Sequence, residues 1–466
     1  EEKRPLFYGG RCEKYEIDER KKKPLGIPNL FDERTRLLLG DYRASDPDGR
    51  PTVGIPRGLM AFWQEFPLWR SFFEELGFRV ILSPPSDRPL VTRSLGMLSA
   101  ETCFPVSIIY GHVADLIERN ADWVFLPFVV NARSGQSNPT ENYNCPWIQT
   151  YPFMVRAALR ESGEEQRLIT PTLHMRYLPR LAVDELAGYF GEKFEFSRNE
   201  VDRAFALGLS RQRAFEAALA DRGKEVLSEL PEERVAAVIL GRPYNTSDPE
   251  LNLHLIEKLI SLNVLPLPLD YLPLDESPVF DRYPMMYWPN GRRILQGAQI
   301  VGKEERLSAV YLGNFRCGPD SFLLHYVREE MRGKPFLQLE VDEHSADAGM
   351  VTRCEAFLDS LRGYNRRVAR TGTTKSEAVY RPRRAKERVL YFPYMNDAAY
   401  AVAAAARSCG VKAEVLPMQS AHDLELGRRY TSSRECFPLI CTTGSFLRKI
   451  TEPGFDLDTA SFFMPD

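Results

Sequence analysis

The apolar positions of this chain recur in three similar blocks. Each opens with a short apolar run that ends at or beside a proline: Val53-Gly54-Ile55-Pro56, Ala237-Val238-Ile239-Leu240-Gly241-Arg242-Pro243, and Val389-Leu390-Tyr391-Phe392-Pro393. A stretch with helical spacing follows, through Trp69, Phe72, Phe73 and Leu76 in the first block, through Leu251, Leu255, Ile256 and Leu259 in the second, and along the Ala-rich run Ala398 to Ser408 in the third. Gly77, Asn263 and Gly410 then stand where helices stop. Second apolar runs follow at Arg79 to Leu82, Val264 to Leu269 and Val411 to Leu416. Apolar residues three and four apart, closed by Gly or Asn and flanked by two short apolar runs, predict strand, helix, strand. Such units build parallel sheets, and three separated copies predict three related α/β domains.

The connecting stretches differ. Residues 198–230 alternate Val201, Ala204, Phe205, Leu207, Leu209 and Phe215 with charged residues, which predicts a long amphipathic helix between domains. Residues 1–50 read as basic and turn-rich, and residues 362–388 as a strongly basic exposed linker around Thr371-Gly372-Thr373-Thr374. Composition sets the class. With 44% hydrophobic and 27% charged residues the chain is a folded globular protein and not a disordered one. Lys+Arg 61 against Asp+Glu 64 leaves a net charge of -3, so no global basic field for nucleic acid exists. No apolar run approaches the roughly 18–20 residues that span a bilayer. The opening Glu1-Glu2-Lys3-Arg4 is not read as a secretory signal. Eight Cys spread over 466 residues argue for reduced thiols in a reducing, cytoplasmic compartment and against a disulfide scaffold.

Those cysteines carry the candidate chemistry. Glu101-Thr102-Cys103-Phe104-Pro105 is followed by Gly111, and Arg434-Glu435-Cys436-Phe437-Pro438 by Gly444, with Cys and Gly eight apart in both copies. Equivalent loops of two domains thus each present a cysteine just before a helix, where the positive helix end favours a thiolate. Asn144-Cys145-Pro146-Trp147 follows an apolar strand predicted over Trp123 to Val130. Asn314-Phe315-Arg316-Cys317-Gly318-Pro319-Asp320 follows one predicted over Ala309 to Leu312. All four cysteines are expected at the C-terminal ends of strands, where open α/β sheets bind ligands. Four soft thiolates from separate loops suit Zn or an iron–sulfur cluster. Cys12, after Gly9-Gly10-Arg11, is a further candidate, whereas Cys354, Cys409 and Cys441 fall in helical patterns and are read as core.

Other motifs are weaker. Glu340, Asp342, Glu343, His344 and Asp347 form a carboxylate-rich stretch after an apolar strand. It reads as capping before a helix at Thr352, with a mixed O/N metal site or general acid–base pair as the alternative. His112 is read either as a donor to a cluster sulfide or as a packing or capping residue. No Gly-x-x-x-x-Gly-Lys-Ser/Thr and no Gly-x-Gly-x-x-Gly sequence occurs, so any ATP used is bound by another chain or domain.

With these residues in view, the chain resembles the acyl-CoA dehydratase activase-related family, relatives of 2-hydroxyacyl-CoA dehydratases and double-cubane cluster proteins. The resemblance rests on Gly54-Ile55-Pro56-Arg57-Gly58, the loop at Cys103, Asn144-Cys145-Pro146, Cys317-Gly318-Pro319-Asp320-Ser321-Phe322, the run Glu340 to Thr352, and Arg434-Glu435-Cys436-Phe437-Pro438. It implies Rossmann-like domains around a central cysteine-held iron–sulfur cluster, either 4Fe–4S or a double-cubane 8Fe–9S. Cys103, Cys145, Cys317 and Cys436 match the family's cysteine motifs, and Gly-Gly-Arg-Cys at Cys12 its typical opening. An ATP-hydrolysing activase, separate or fused, is the implied electron donor. Related chains continue beyond a Phe-Phe-Met-Pro stretch and carry cysteines upstream of Cys12, so this chain is expected to be part of a longer polypeptide.

The expectation is therefore an α/β protein of three Rossmann-like domains with parallel sheets around a central cluster site. Residues 1–50 form a loop-rich segment, 51–195 the first domain, 196–375 the second with its long connecting helix, and 376–466 an incomplete third. The expected function is an anaerobic, ATP-dependent iron–sulfur reductase component that passes low-potential electrons to a small-molecule substrate. The alternatives are a 2-hydroxyacyl-CoA dehydratase-like lyase and a non-enzymatic metal-binding electron relay. Neither nucleic acid nor membrane is an expected partner; a homodimer is compatible with the sequence, and no catalytic residue is assigned.

Overall fold

Each of the three apolar blocks folds as strand, helix, strand, although the second block's helix is only Leu255–Ser261 and leaves Leu251 in the turn before it, where Leu253 and His254 have left-handed backbones. The structure, a computed structural model, describes the whole chain except residues 1–25, 44–47, 99, 134–140, 178–179, 232–235, 276, 332, 345–347, 372–387, 432–436 and 464–466. Thirteen strands are present among the described residues. They are β1 Thr52–Ile55, β2 Arg79–Leu82, β3 Trp123–Phe125, β4 Phe128–Asn131, β5 Leu168–Ile169, β6 Thr172–His174, β7 Ala236–Leu240, β8 Leu265–Pro268, β9 Leu307–Asn314, β10 Leu337–Val341, β11 Val389–Phe392, β12 Lys412–Val415 and β13 Ala460–Phe462. They form sheets ordered β2-β1-β3-β5, β10-β9-β7-β8 and β12-β11-β13, with a small β4-β6 pair. Every pairing among these strands is parallel.

The three larger sheets share one topology. In each, the first strand of the block lies between the second and the third, giving β2-β1-β3, β8-β7-β9 and β12-β11-β13. The molecule is thus a mixed α/β protein with several parallel sheets, consistent with Rossmann-like folds. A reversal of direction beside the first strand opens a crevice at the carboxyl ends of the first and third strands.

Packing ties the first two sheets together. One hydrophobic cluster runs from Leu30 to Met331 and includes Val53, Ile55, Trp69 and Phe125 of the first sheet's layers and Val238, Leu240 and Leu267 of the second. The helix Arg198–Ser228 begins with a capping box in which Ser197 and Glu200 satisfy each other's backbone amides. It crosses both sheets' layers at glycines. A Cβ on Gly208 would stand 2.6 Å from the Leu68 carbonyl oxygen, and one on Gly223 only 1.8 Å from that of Tyr271. Around the third sheet the clusters are small, centred on Tyr391, Leu416 and Ala460 on one side and Phe392, Ala403 and Ala413 on the other.

The sequence reading needs four corrections. The apolar run Trp123 to Val130 is two strands and not one, because Pro127 has no N–H for a ladder; β3 stays in the first sheet and β4 turns away to pair with β6. Within the segment read as loop-rich, Leu30–Leu39 is a helix capped by Asn29, with Leu30, Phe31 and Leu38 buried. The basic run begins inside the helix Ala348–Thr371 and is not all linker, while 372–387 lie outside the described residues. Cys409 is exposed at the end of helix Ala398–Ser408, because only Ala403 of that helix is fully buried. Cys354 is buried and Cys441 half-buried. No helix among the described residues is long and apolar enough to cross a membrane.

Candidate functional site

Three of the predicted cysteines occupy one kind of position. Cys103, Cys145 and Cys317 each form the extended N-cap of a helix, Phe104–Ser107, Pro146–Leu159 and Gly318–Glu330, and each helix has a proline in its first two positions. Proline fixes the helical φ and lacks the N–H that would be unsatisfied there, so it seats the cysteine at the positive helix end. The N–H of the third helical residue (Val106, Ile148 or Asp320) acts on each sulfur in the direction that favours thiolate, though none closes a full capping hydrogen bond. Cys436 lies outside the described residues, but it directly precedes the helix Phe437–Ile450 and so repeats the pattern in sequence. Cys12 also lies outside the described residues.

The spacing of eight from cysteine to glycine has a packing cause. Gly111 lies where helix Ile109–Glu118 touches helix Arg88–Gly96, and a Cβ there would meet the Leu90 carbonyl oxygen at 2.8 Å. Gly444 does the same against helix Ala421–Tyr430, with a Cβ 1.7 Å from the Asp423 carbonyl oxygen. The helix following each cysteine is thereby locked against the helix before it. Contrary to the expectation, Cys103 is not directly at a strand end, because helix Arg88–Gly96 intervenes after β2. Cys145 and Cys317 do follow β4 and β9.

The three described thiols share one electrostatic neighbourhood. Burial pushes the Cys103 thiol up to about 12, and the nearby Cys145 adds to the rise. Burial likewise raises Cys145, and raises Cys317 well above the thiol range, with Asp320 and Cys103 adding to the latter. The Tyr244 hydroxyl feels all three sulfurs. Arg242, which follows β7, acts on all three and lowers each thiol's pKa. Arg242 is 5% exposed and forms a 2.6 Å ion pair with Asp320. Asp320 also accepts from the Tyr311 hydroxyl at 2.8 Å and the Asn314 N–H at 3.2 Å.

A cavity of about 410 Å³ opens beside Cys317. Its wall includes Asn314, Phe315, Arg316, Leu339 and Glu340, and from the third sheet's layers Phe437, the residue after Cys436. Arg316 has a left-handed backbone (φ 66°) and pairs with Glu343 at 3.1 Å and Glu101 at 3.0 Å. It therefore links the Cys317 loop to the loop of Cys103. Glu343 of the carboxylate-rich stretch is engaged in this way, the Asp342 carboxylate accepts from the His344 N–H at 3.0 Å, and Asp347 lies outside the described residues.

A second buried polar group surrounds His112. The His112 ring meets Ser83 Oγ through Nδ1 at 2.9 Å and Ser86 Oγ through Nε2 at 3.1 Å. Ser86 donates to Asp248 at 2.5 Å, and Ser83 Oγ accepts from the Arg57 N–H at 2.8 Å. Both ring nitrogens are thus occupied, which gives His112 the packing role among the two considered. Burial lowers its pKa to about 3 and raises that of Asp248 to about 6.

The donor set is soft: three cysteines stand at helix N-termini, and the buried Arg242 guanidinium acts electrostatically on each. Asn245 of the Arg242 turn is fully buried with neither amide atom partnered, and the buried Asn314 Oδ1 on the cavity wall is also without a partner. Among the described residues no three His, Cys, Asp or Glu side chains are placed to hold one metal ion. A cluster several atoms wide sets its thiolates farther apart than the ligands of a single ion. Arg242, Tyr311 and Asp248 were missed in the sequence. A signal for Arg242 was present, since a charged residue ends an otherwise apolar strand directly before Pro243.

Fold and site define an α/β protein of parallel sheets in which three cysteines stand at helix N-termini, Cys103 buried and Cys145 and Cys317 half-buried. Residues 52–272, a little under half of the chain, match the family model described as CoA enzyme activase uncharacterised domain, and this supports an activase-related family. The match includes Cys103, Cys145 and Arg242 and ends before Cys317. No curated protein matches the chain. Among solved structures, the C-terminal domain of glucosamine-fructose-6-phosphate aminotransferase from Francisella tularensis aligns over 75% of this chain and 96% of its own. That alignment has 9% identity and a TM-score of 0.16, too low to carry an argument.

Proposed function

We propose that this chain is an iron–sulfur redox protein that accepts low-potential electrons from an ATP-hydrolysing activase and delivers them to a small substrate. The observation that carries the reading is that Cys103, Cys145 and Cys317 each cap a helix within electrostatic reach of the buried Arg242. These three, with Cys436 and with Cys12 as a further candidate, are the proposed ligands. The cluster they hold, 4Fe–4S or double-cubane, supplies one-electron chemistry when bound. The chain's own residues do the rest. Helix ends stabilise thiolate charge, the sheets' side chains exclude water, and the cavity beside Cys317 admits the substrate. Domains 51–195, 196–375 and 376–466 each contribute one of the three larger sheets, and Phe437 brings the third to the cavity.

The relation to 2-hydroxyacyl-CoA dehydratases gives a second reading, favoured by the family description's mention of a CoA enzyme. A CoA site needs cations for its phosphates, yet Arg316, the one cation on the described cavity wall, is paired with two carboxylates. This favours a small substrate lacking phosphates. Anaerobic purification followed by electron paramagnetic resonance tests the proposal. A cluster signal that appears on reduction supports it; a spectrum with none overturns it. Tight CoA binding would shift the balance to the dehydratase reading.

A further inference from the structure

We propose that Arg242 is a positioning residue of the thiol centre, supplying the buried positive charge that sets its reduction potential, with Asp320 as the counterweight. The inference rests on the redox reading above and extends it to a residue that contributes no sulfur.

Location comes first. β7 and β9 are neighbours, the first and third strands of their block, so their carboxyl ends flank the crevice where the strand order reverses. Arg242 follows β7 and Cys317 follows β9. Asp320, which Arg242 grips at 2.6 Å, is the third residue of the helix that Cys317 caps. The guanidinium is thus fixed at the positive end of that helix, a place already favourable to anions. A buried ion pair is costly to desolvate and is weak support for a merely stabilising role. Asp320 also needs no cation to be satisfied, since Tyr311 and Asn314 already donate to it. Through Asp320 the cation is held at the N-terminus of the helix that Cys317 caps, which follows the strand next to its own. In the same turn, Asn245 holds a fully buried amide with no partner, a polar surface that a bound group would meet.

The physical consequence has a definite sign. Adding an electron to a buried centre adds negative charge, and in a poorly solvated site a nearby cation favours that step. Removing the cation makes reduction harder; removing its counter-carboxylate makes it easier.

The test is an anaerobic potential titration followed by electron paramagnetic resonance, after iron and sulfide content has been measured. Arg242→Gln is expected to shift the reduction equilibrium at least tenfold toward the oxidised form, about 59 mV for one electron. Asp320→Asn is expected to shift it in the opposite direction, and Arg242→Lys to stay near the parent. A merely structural ion pair would move Arg242→Gln and Asp320→Asn in the same direction or leave both unmoved. If Arg242→Gln does not fold, Asp320→Asn carries the test alone and its potential must rise. Unmoved potentials at unchanged iron content overturn this inference and leave the redox reading standing. A parent protein without iron and sulfide overturns both.

Discussion

His112 and Asp248 are joined through Ser86, and burial moves their pKa values in opposite directions. Asp248 ordinarily releases its proton at 3.8 but holds it to about 6 in the folded chain. As pH rises from 4 to 6 the unfolded state has shed that proton and the folded state has not, so the folded state loses stability. His112 ordinarily carries a proton below 6.5 but in the folded chain only below about 3. Over the same window the unfolded state sheds a proton the folded state never carried, so the folded state gains stability. Each slope approaches about 1.36 kcal/mol per pH unit mid-window, and between pH 4 and pH 6 each contribution amounts to about 2 kcal/mol. In the parent protein the two largely cancel. Asp248→Asn should therefore gain about 2 kcal/mol relative to the parent between pH 4 and pH 6, and His112→Gln should lose about as much. Urea unfolding at half-unit pH steps, read by tryptophan fluorescence from Trp63 and Trp69, measures both differences, and comparison with the parent removes the contribution of every other titrating group. Variant and parent stabilities that run parallel across this window would refute the reasoning, as would slopes of the same sign in both variants.

Gly444→Ala should destabilise the third sheet's layers by about 1–3 kcal/mol, because the new Cβ would stand 1.7 Å from a backbone oxygen. Gly363→Ala, in an exposed helix position with nothing within 4 Å, should instead stabilise by about 0.5–1 kcal/mol; thermal unfolding of the two compares them. Arg316→Gln removes both ion pairs of a partly exposed arginine and should cost no more than about 1 kcal/mol in urea unfolding. It should nevertheless speed amide hydrogen exchange around residues 100–107, the loop that Glu101 ties to Arg316; unchanged exchange there would show that the bridge does not order the Cys103 loop.

The strands were legible because their signals are local. Val53 to Ile55, Ala237 to Leu240 and Val389 to Phe392 are apolar runs that end near Pro or Gly, and they became β1, β7 and β11. The cysteine echo was legible for the same reason, and the structure adds its cause in the close helix approach at Gly111 and Gly444. The helix Leu30–Leu39 was missed because its apolar face is narrow and its first half lies among charges, although Asn29 is a good cap. Cys409 was read as core from an Ala-rich pattern, but small side chains give a helix no obligation to be covered, and this one is largely exposed. The pairing of Arg242 with Asp320 spans 78 residues, and that of Ser86 with Asp248 spans 162. Neither leaves a trace in local spacing, because sheet topology alone brings them together.

The central claim is that cysteines from distant loops hold one iron–sulfur group, and it is tested most directly by iron and acid-labile sulfide content after anaerobic purification. The account predicts both in comparable amounts in the parent and in Cys409→Ala, and a clear loss of both in Cys103→Ala and Cys317→Ala. Zinc alone in the parent, or undiminished iron in the Cys103 and Cys317 variants, would contradict it.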